Sequence, residues 1–267
     1  MKNYVLLVVI VFGMLWGAPA IAADFDKGLT AAEKGDYATA LRELRPLADR
    51  GHAAAQYNMG VLYFTGHGVV QNYKEAIKWF TLAADKGFVR AQYNLGVMYF
   101  GGEGVLQDYK VAMNWFTLAA KQGLAASQYN LGVMHYEGKG TLQDYKEAIK
   151  WYTLAADQGL AAAQHNLGLM YYEGRGVLQD FRQSFKFYTL AAGQGNSDAQ
   201  QNLGVMYYKG QGVLQDYVHA HMWGNIAASI SGDGEFRDFV AKKMTPAQIE
   251  KAQILARECE KKNYKGC

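Results

Sequence analysis

Residues 88–123 read FVRAQYNLGVMYFGGEGVLQDYKVAMNWFTLAAKQG, and this stretch decides the fold because the chain repeats it. Shifted by 36 residues either way, its landmarks return. Asn58, Asn94, Asn130, Asn166 and Asn202 hold one position, and Gly60, Gly96, Gly132, Gly168 and Gly204 another. Trp79, Trp115, Trp151, Phe187 and Trp223 hold a third. A fixed period of this size marks an array in which each repeat is one supersecondary unit.

The first half of the unit has helical spacing. Ala91, Leu95, Met98 and Tyr99 fall at i, i+4, i+7 and i+8, one face of a 3.6-residue period. The run Gly101-Gly102-Glu103-Gly104 ends it, since glycine accepts the left-handed backbone of a helix terminus. The second half opens at Asp108, whose carboxylate suits an N-cap. Asn72 with Glu75 and Asp144 with Glu147 have the spacing of a capping box. The second helix runs through Val111, Ala112, Trp115, Phe116, Leu118 and Ala119 to Gly123. Each unit is therefore a helix–loop–helix hairpin. A glycine inside a helix costs about 0.5–1 kcal/mol against alanine. Its return at Gly96 and its equivalents argues that two helices must approach closely there, with Trp115 and Tyr99 filling the remaining space. One hairpin cannot bury its own apolar face, so stability comes from stacking on neighbours.

The pattern A-x-Y-N-L-G-x-M-Y, G-x-G, D-Y-x-x-A, W-F/Y-x-L-A-A and a closing glycine resembles the Sel-one-like repeat family, a relative of the tetratricopeptide repeat. The resemblance covers roughly residues 25–230. It implies an all-α, right-handed α-solenoid of stacked helix–turn–helix repeats with N- and C-terminal capping elements. It also implies an interaction scaffold, in a family with many exported bacterial members.

In chain order, Lys2, the apolar run Val5–Trp16 and Ala20-Ile21-Ala22 read as a secretory signal peptide over 1–22, with the mature chain starting near Ala23. This predicts a periplasmic or secreted protein with no stable membrane insertion after cleavage. Residues 23–51 form a shorter first unit, with Gly28 as its small first-helix glycine and a charged second helix suited to a capping repeat. Full repeats follow at 52–87, 88–123, 124–159, 160–195 and 196–231. Residues 232–267 form a helical cap: a short helix over Glu235–Lys243, then one opened by Thr245-Pro246 with Gln248 completing a capping box. Its apolar stripe is Ile249, Ala252, Leu255, Ala256 and Cys259. Cys259 and Cys267 are the only cysteines, and an even pair in an exported chain predicts a disulfide.

The formal charge is +3 with acidic and basic residues mixed, which argues against a nucleic-acid footprint. No G-x-S-x-G, H-E-x-x-H or Walker motif occurs, and the six histidines lack metal-ligand spacing. No cofactor and no metal are expected, and a monomer is favoured.

By resemblance to tetratricopeptide hairpins, the concave face is lined by Arg90, Tyr93, Val97, Phe100 and their equivalents. One row reads Tyr57, Tyr93, Tyr129, His165 and Gln201; another reads Phe64, Phe100, Tyr136, Tyr172 and Tyr208. Aromatic, uncharged surfaces recur at protein-binding hot spots, so these residues are the expected contact surface for a protein or extended peptide. The alternative is that the rings pack between neighbouring helices. The ladder Asn58, Asn94, Asn130, Asn166 and Asn202 could clamp a peptide backbone, or tie one repeat to the next. Four rival readings stand beside the scaffold: a cell-wall or β-lactam-acting enzyme, a regulator of a cell-wall enzyme, a host-interaction factor, and a structural spacer with no groove ligand. A cysteine-rich branch of the family is linked to β-lactam chemistry, but it carries a cysteine pair in each repeat and this chain has none there.

Overall fold

The computed structural model describes residues 19–267, with side chains from Phe25 onward. The expected leader therefore lies, up to residue 18, outside the described residues. All the regular structure described is helical. The hairpins are α1 (Pro19–Glu33) with α2 (Tyr37–Asp49), α3 (Ala53–Thr65) with α4 (Tyr73–Ala84), and α5 (Val89–Gly101) with α6 (Tyr109–Lys121). Next come α7 (Ala125–Glu137) with α8 (Tyr145–Asp157), α9 (Ala161–Glu173) with α10 (Phe181–Ala192), and α11 (Ser197–Lys209) with α12 (Tyr217–Ser231). Two further helices close the chain, α13 (Glu235–Ala241) and α14 (Pro246–Lys261).

The described residues divide into two compact units, one holding 19–127 with 139–142, the other 128–138 with 143–267. Inside each, the repeat glycine sets the packing. A Cβ on Gly96 would lie 2.5 Å from the Phe116 ring, and one on Gly168 would lie 2.6 Å from the Tyr188 ring. The ring that uses the space is thus the residue after the tryptophan position. Phe80, Phe116, Tyr152 and Tyr188 are all fully buried. The sequence had offered Trp115 for this role, yet Trp115 is only half-buried.

The loops are as regular as the helices. Gly102 takes φ 76° as the C-cap of α5, and its N–H donates to the Met98 carbonyl. Gly104, at φ 74°, passes so close to Tyr73 of the preceding repeat that a Cβ would sit 2.2 Å from the tyrosine's own. Gln107 Nε2 then donates to the Phe100 carbonyl at 2.8 Å, and Asp108 N–H to the Tyr99 carbonyl at 2.9 Å. Asp108 caps α6 through the Lys110 and Val111 N–H groups. The capping boxes expected at Asn72/Glu75 and Asp144/Glu147 close only on the cap side. The glutamates turn to lysines one turn on instead, Glu147 to Lys150 at 2.7 Å and Glu75 to Lys78 at 3.7 Å. At α14 the full capping box of Thr245 and Gln248 is present.

The last hairpin departs from the rule. Gly224 stands where Phe80, Phe116, Tyr152 and Tyr188 stand upstream. The vacant space beside Gly204 is taken by Phe236 of α13, 2.8 Å from where a Gly204 Cβ would lie. α14 lays its stripe against the core that holds Met222, Trp223 and Ile226, burying Ala252, Ala256 and Cys259. Cys259 and Cys267 are bonded, and the closed ring sets Tyr264 against Gly195.

Candidate interaction surface

The first helix of each hairpin positions the expected contact residues. Their side chains are shared between neighbours and solvent in different proportions in the two units. In the first, Tyr57, Tyr93, Val97 and Phe100 are buried and Arg90 is half-buried. In the second, Tyr129, Tyr136, His165, Tyr172 and Tyr208 are half-buried and Gln201 is exposed. The tyrosine row lies on the second-helix rings: Tyr57 on Phe80 at 5.7 Å, Tyr93 on Phe116 at 5.9 Å, Tyr129 on Tyr152 at 5.7 Å, and His165 on Tyr188 at 5.6 Å. Burial pushes the Tyr57 hydroxyl up to about 12 and raises Tyr129 as well.

The second aromatic row pairs along the loop edge. Phe100 meets Tyr109 at 5.0 Å, Tyr136 meets Tyr145 at 5.3 Å, and Tyr172 meets Phe181 at 5.4 Å. A cation from the next loop covers each: Lys139 lies 5.3 Å from the Phe100 ring, Arg175 5.6 Å from Tyr136, and Lys209 6.0 Å from Tyr172. Arg175 also donates to the Tyr136 hydroxyl. Tyr208, last in the row, meets Phe239 and Phe236 instead, at 5.3 and 6.4 Å. The sequence reading did not include these cations. Their signal was present in the loops: Lys139 and Arg175 stand one repeat period apart, and Lys209 comes two positions before the equivalent Gln211.

Three of the asparagines, Asn94, Asn166 and Asn202, lie beside a side chain of the preceding repeat. Asn58 donates to the Ala54 carbonyl one turn back, at 2.8 Å. Asn94 is fully buried beside the Tyr57 hydroxyl, where its amide works against the burial that raises that hydroxyl's pKa. Asn166 lies likewise beside Tyr129. Asn202 Nδ2 is 3.3 Å from His165 Nε2, and Asn166 Oδ1 is 3.3 Å from His165 Nδ1. These two contacts suit a neutral imidazole protonated at Nδ1, and burial holds the His165 pKa below its ordinary value. Asn130 is half-buried.

A second polar ladder was missed. Gln56, Gln92, Gln128, Gln164 and Gln200 are buried. Gln92 Nε2 donates to the Ala84 carbonyl at 3.1 Å, and its Oε1 accepts from Gln122 Nε2 at 2.8 Å. Gln158 serves Gln128 and Gln194 serves Gln164, each at 2.7 Å. The 30-residue spacing between partners was there to be read. At the ends the partner changes to Lys86 and Ile230, and Oε1 of Gln56 and of Gln200 is left unpaired.

Among the described residues no three His, Cys, Asp or Glu side chains gather as metal ligands. No described helix is long and apolar enough to cross a membrane.

Repeated hairpins with side chains spread along them define a helical repeat protein. The Sel1 repeat pattern matches residues 53–88, 89–124, 125–160, 161–196 and 197–230, and the chain belongs to that family. A protective antigen of uropathogenic Escherichia coli strains that displays an SLR fold is 33% identical, with TM-score 0.81 over 91% of this chain. The chain spans 54% of that antigen's length. A Sel1 repeat protein from Oxalobacter formigenes is 30% identical, with TM-score 0.74, covering 88% of this chain and 95% of its own. A comparison with curated proteins returned no match.

Proposed function

We propose that this chain is an exported bacterial scaffold, without catalytic activity, that binds a protein or extended peptide along the face of its first helices. One observation carries this reading: in the second unit, Tyr129, Tyr136, His165, Tyr172 and Tyr208 keep part of their surface open, beside an exposed Gln201. Half-open aromatic side chains with polar edges are the composition of protein-binding surfaces. The Sel1 membership supports a scaffold, and the leader-like segment supports export to the periplasm or beyond. In this reading the asparagines serve the junctions between repeats, and the partner contacts the rings.

The test is affinity capture from envelope and culture extracts, with wild type beside Tyr129→Ala/Tyr172→Ala. Both must give the same circular dichroism spectrum. A captured protein is then purified and its binding measured directly. Loss of at least tenfold in affinity by the variant supports the reading; equal affinity moves the contact to another face. Nitrocefin turnover by the pure protein would replace the scaffold with the enzyme reading.

A further inference from the structure

Each loop from a first helix to its second presents one residue to the aromatic side chains of the preceding repeat. At that register stand His67, Glu103, Lys139, Arg175 and Gln211. Four of the five meet a ring there. His67 stacks on Tyr37 at 4.7 Å. Lys139 lies 5.3 Å from the Phe100 ring and 5.8 Å from Tyr109. Arg175 lies 5.6 Å from Tyr136 and 5.9 Å from Tyr145, and its Nε donates to Glu173 at 2.6 Å. Gln211 accepts from the Tyr172 hydroxyl at 3.0 Å. The fifth is the acid, Glu103. Its neighbour Gly104 passes close against Tyr73, which pairs with Phe64 at 5.2 Å. Among the described residues no cation lies over either of these two rings.

The carboxylate itself is kept. α7 and α9 end in Glu137 and Glu173, where α5 ends in Gly101. With no side chain at 101, Glu103 turns back beside it, its Cγ 3.6 Å and its Oε1 3.8 Å from where a Gly101 Cβ would lie. The first unit thus holds two ring faces and a carboxylate, the same partners that Arg175 engages inside the second unit. The loop residue that supplies the guanidinium there is the acid here. Two further observations agree. Glu103 Oε2 is buried with no donor. Phe64 is only half-buried, whereas Phe100 beneath Lys139 is 5% exposed.

We propose that Phe64, Tyr73 and Glu103 form a notch that takes an arginine side chain of a partner protein. A cation is drawn to the ring faces and to the carboxylate alike. Arginine fits better than lysine, because a planar guanidinium stacks on a ring and offers paired N–H donors to a carboxylate, whereas an ammonium is a strongly hydrated point charge. An anionic group would be repelled by Glu103.

The notch lies in the first unit, and the inference does not depend on the second-unit rings that carry the function proposed above. The test is an NMR titration of the purified chain with N-acetyl-arginine N-methylamide, beside its citrulline and lysine counterparts. Citrulline keeps the shape of arginine and removes the charge. The expected result is saturable movement of the amide signals of Gly101–Gly104, with a dissociation constant on the order of millimolar and about tenfold weaker binding of citrulline. Glu103→Gln should keep the wild-type spectrum and melting temperature and bind arginine about tenfold more weakly. Arginine that moves none of these signals overturns the proposal, as does binding that Glu103→Gln leaves unchanged. Equal binding of citrulline overturns it too, and equal binding of lysine overturns the choice of arginine. Tighter binding of free arginine than of the capped amide would make the ligand an amino acid and overturn the protein partner. A second variant, Gly101→Glu/Glu103→Arg, writes into the first unit the pair found at Glu173 and Arg175. It should melt above the wild type and no longer bind the probe. Undiminished binding by this variant places the arginine elsewhere and overturns the proposal.

Discussion

The interior hairpins and the last one solve the same packing problem in opposite ways. In α3/α4, α5/α6, α7/α8 and α9/α10 the glycine of the first helix accepts a ring from its own partner helix, within 2.5–2.6 Å of an added Cβ. In α11/α12 both sides are glycine, Gly204 and Gly224, and the ring arrives from outside the hairpin as Phe236. An interior repeat is self-contained and needs neighbours only to cover its faces. The terminal repeat is incomplete until α13 folds onto it. The array therefore ends by leaving a vacancy that only the cap fills, which is stronger than a polar outer face alone.

The largest test of this contrast removes the ring. Phe116→Ala should cost about 3–5 kcal/mol in urea unfolding, because a fully buried ring leaves a cavity between two helices. Phe236→Ala should cost roughly half of that or less, since its ring is half-buried on a seven-residue helix. Its effect should stay local, with faster amide exchange confined to α13 and the ends of α11 and α12. A global loss as large as that of Phe116→Ala would mean that the cap holds the whole second unit.

Next in size is filling the glycine. Gly96→Ala puts a methyl 2.5 Å from the Phe116 ring, which is enclosed and cannot retreat, and overpacking of this kind costs about 1–3 kcal/mol. Gly204→Ala meets Phe236 at 2.8 Å and the Ala220 carbonyl at 3.1 Å. The phenyl can give way with α13, so the loss should be smaller and the melting temperature less affected. Equal losses would show that α13 is as immovable as a repeat helix.

Much of this architecture was legible before any coordinates. Period, hairpin, both cap helices and the Thr245–Gln248 box follow from one-dimensional patterns, because each is a local rule about spacing or capping. The ring against Gly96 was not legible, since Trp115 and Phe116 are adjacent and only the rotation of α6 decides which of them turns inward. The Gln92–Gln122 bond was written at a fixed spacing, but a polar residue in an apolar run reads as a surface residue until its partner is in view. Gly224 was overlooked because the tryptophan position beside it, Trp223, stays in register. Four residues of the candidate surface, Tyr57, Tyr93, Val97 and Phe100, are buried, and no sequence rule separates them from the half-open Tyr129 and Tyr172.

The glutamine ladder gives a smaller test of the same contrast. Gln122→Ala removes the donor to Gln92 Oε1 in an interior repeat, leaving a buried acceptor unpaired at a cost of about 1 kcal/mol or more. The terminal equivalents already lack it, at Gln56 and Gln200. Replacing Ile230 with glutamine should therefore stabilise the last hairpin by a few tenths to about 1 kcal/mol, read as a higher melting temperature and slower exchange in α11. An unchanged value would mean that the end of α12 does not present residue 230 as interior repeats present theirs.

The smallest effect separates the two kinds of hairpin by pH. His221 is 3% exposed at the position where upstream repeats carry Ile77, Met113, Ile149 and Phe185. Its Nδ1 has no partner. Burial, and then Arg237, hold its pKa below the ordinary 6.5, while Asp238 acts the other way. The folded chain thus binds fewer protons than the unfolded one once pH drops below about 6.5, and stability falls from there down through the folded pKa. Above pH 7 the imidazole is neutral in both states and contributes no slope. His52 and His165 are lowered by burial too, so every variant loses some stability on acidification. The difference between wild type and His221→Phe isolates the last hairpin. The phenylalanine variant should have a shallower fall in melting temperature between pH 7 and pH 5. Amide exchange in α13 should quicken first in the wild type, because Arg237 and Asp238 lie on that helix. Parallel slopes for the two proteins would show that α13 leaves its site no more readily when His221 is charged, and the cap would then be as closed as an interior repeat.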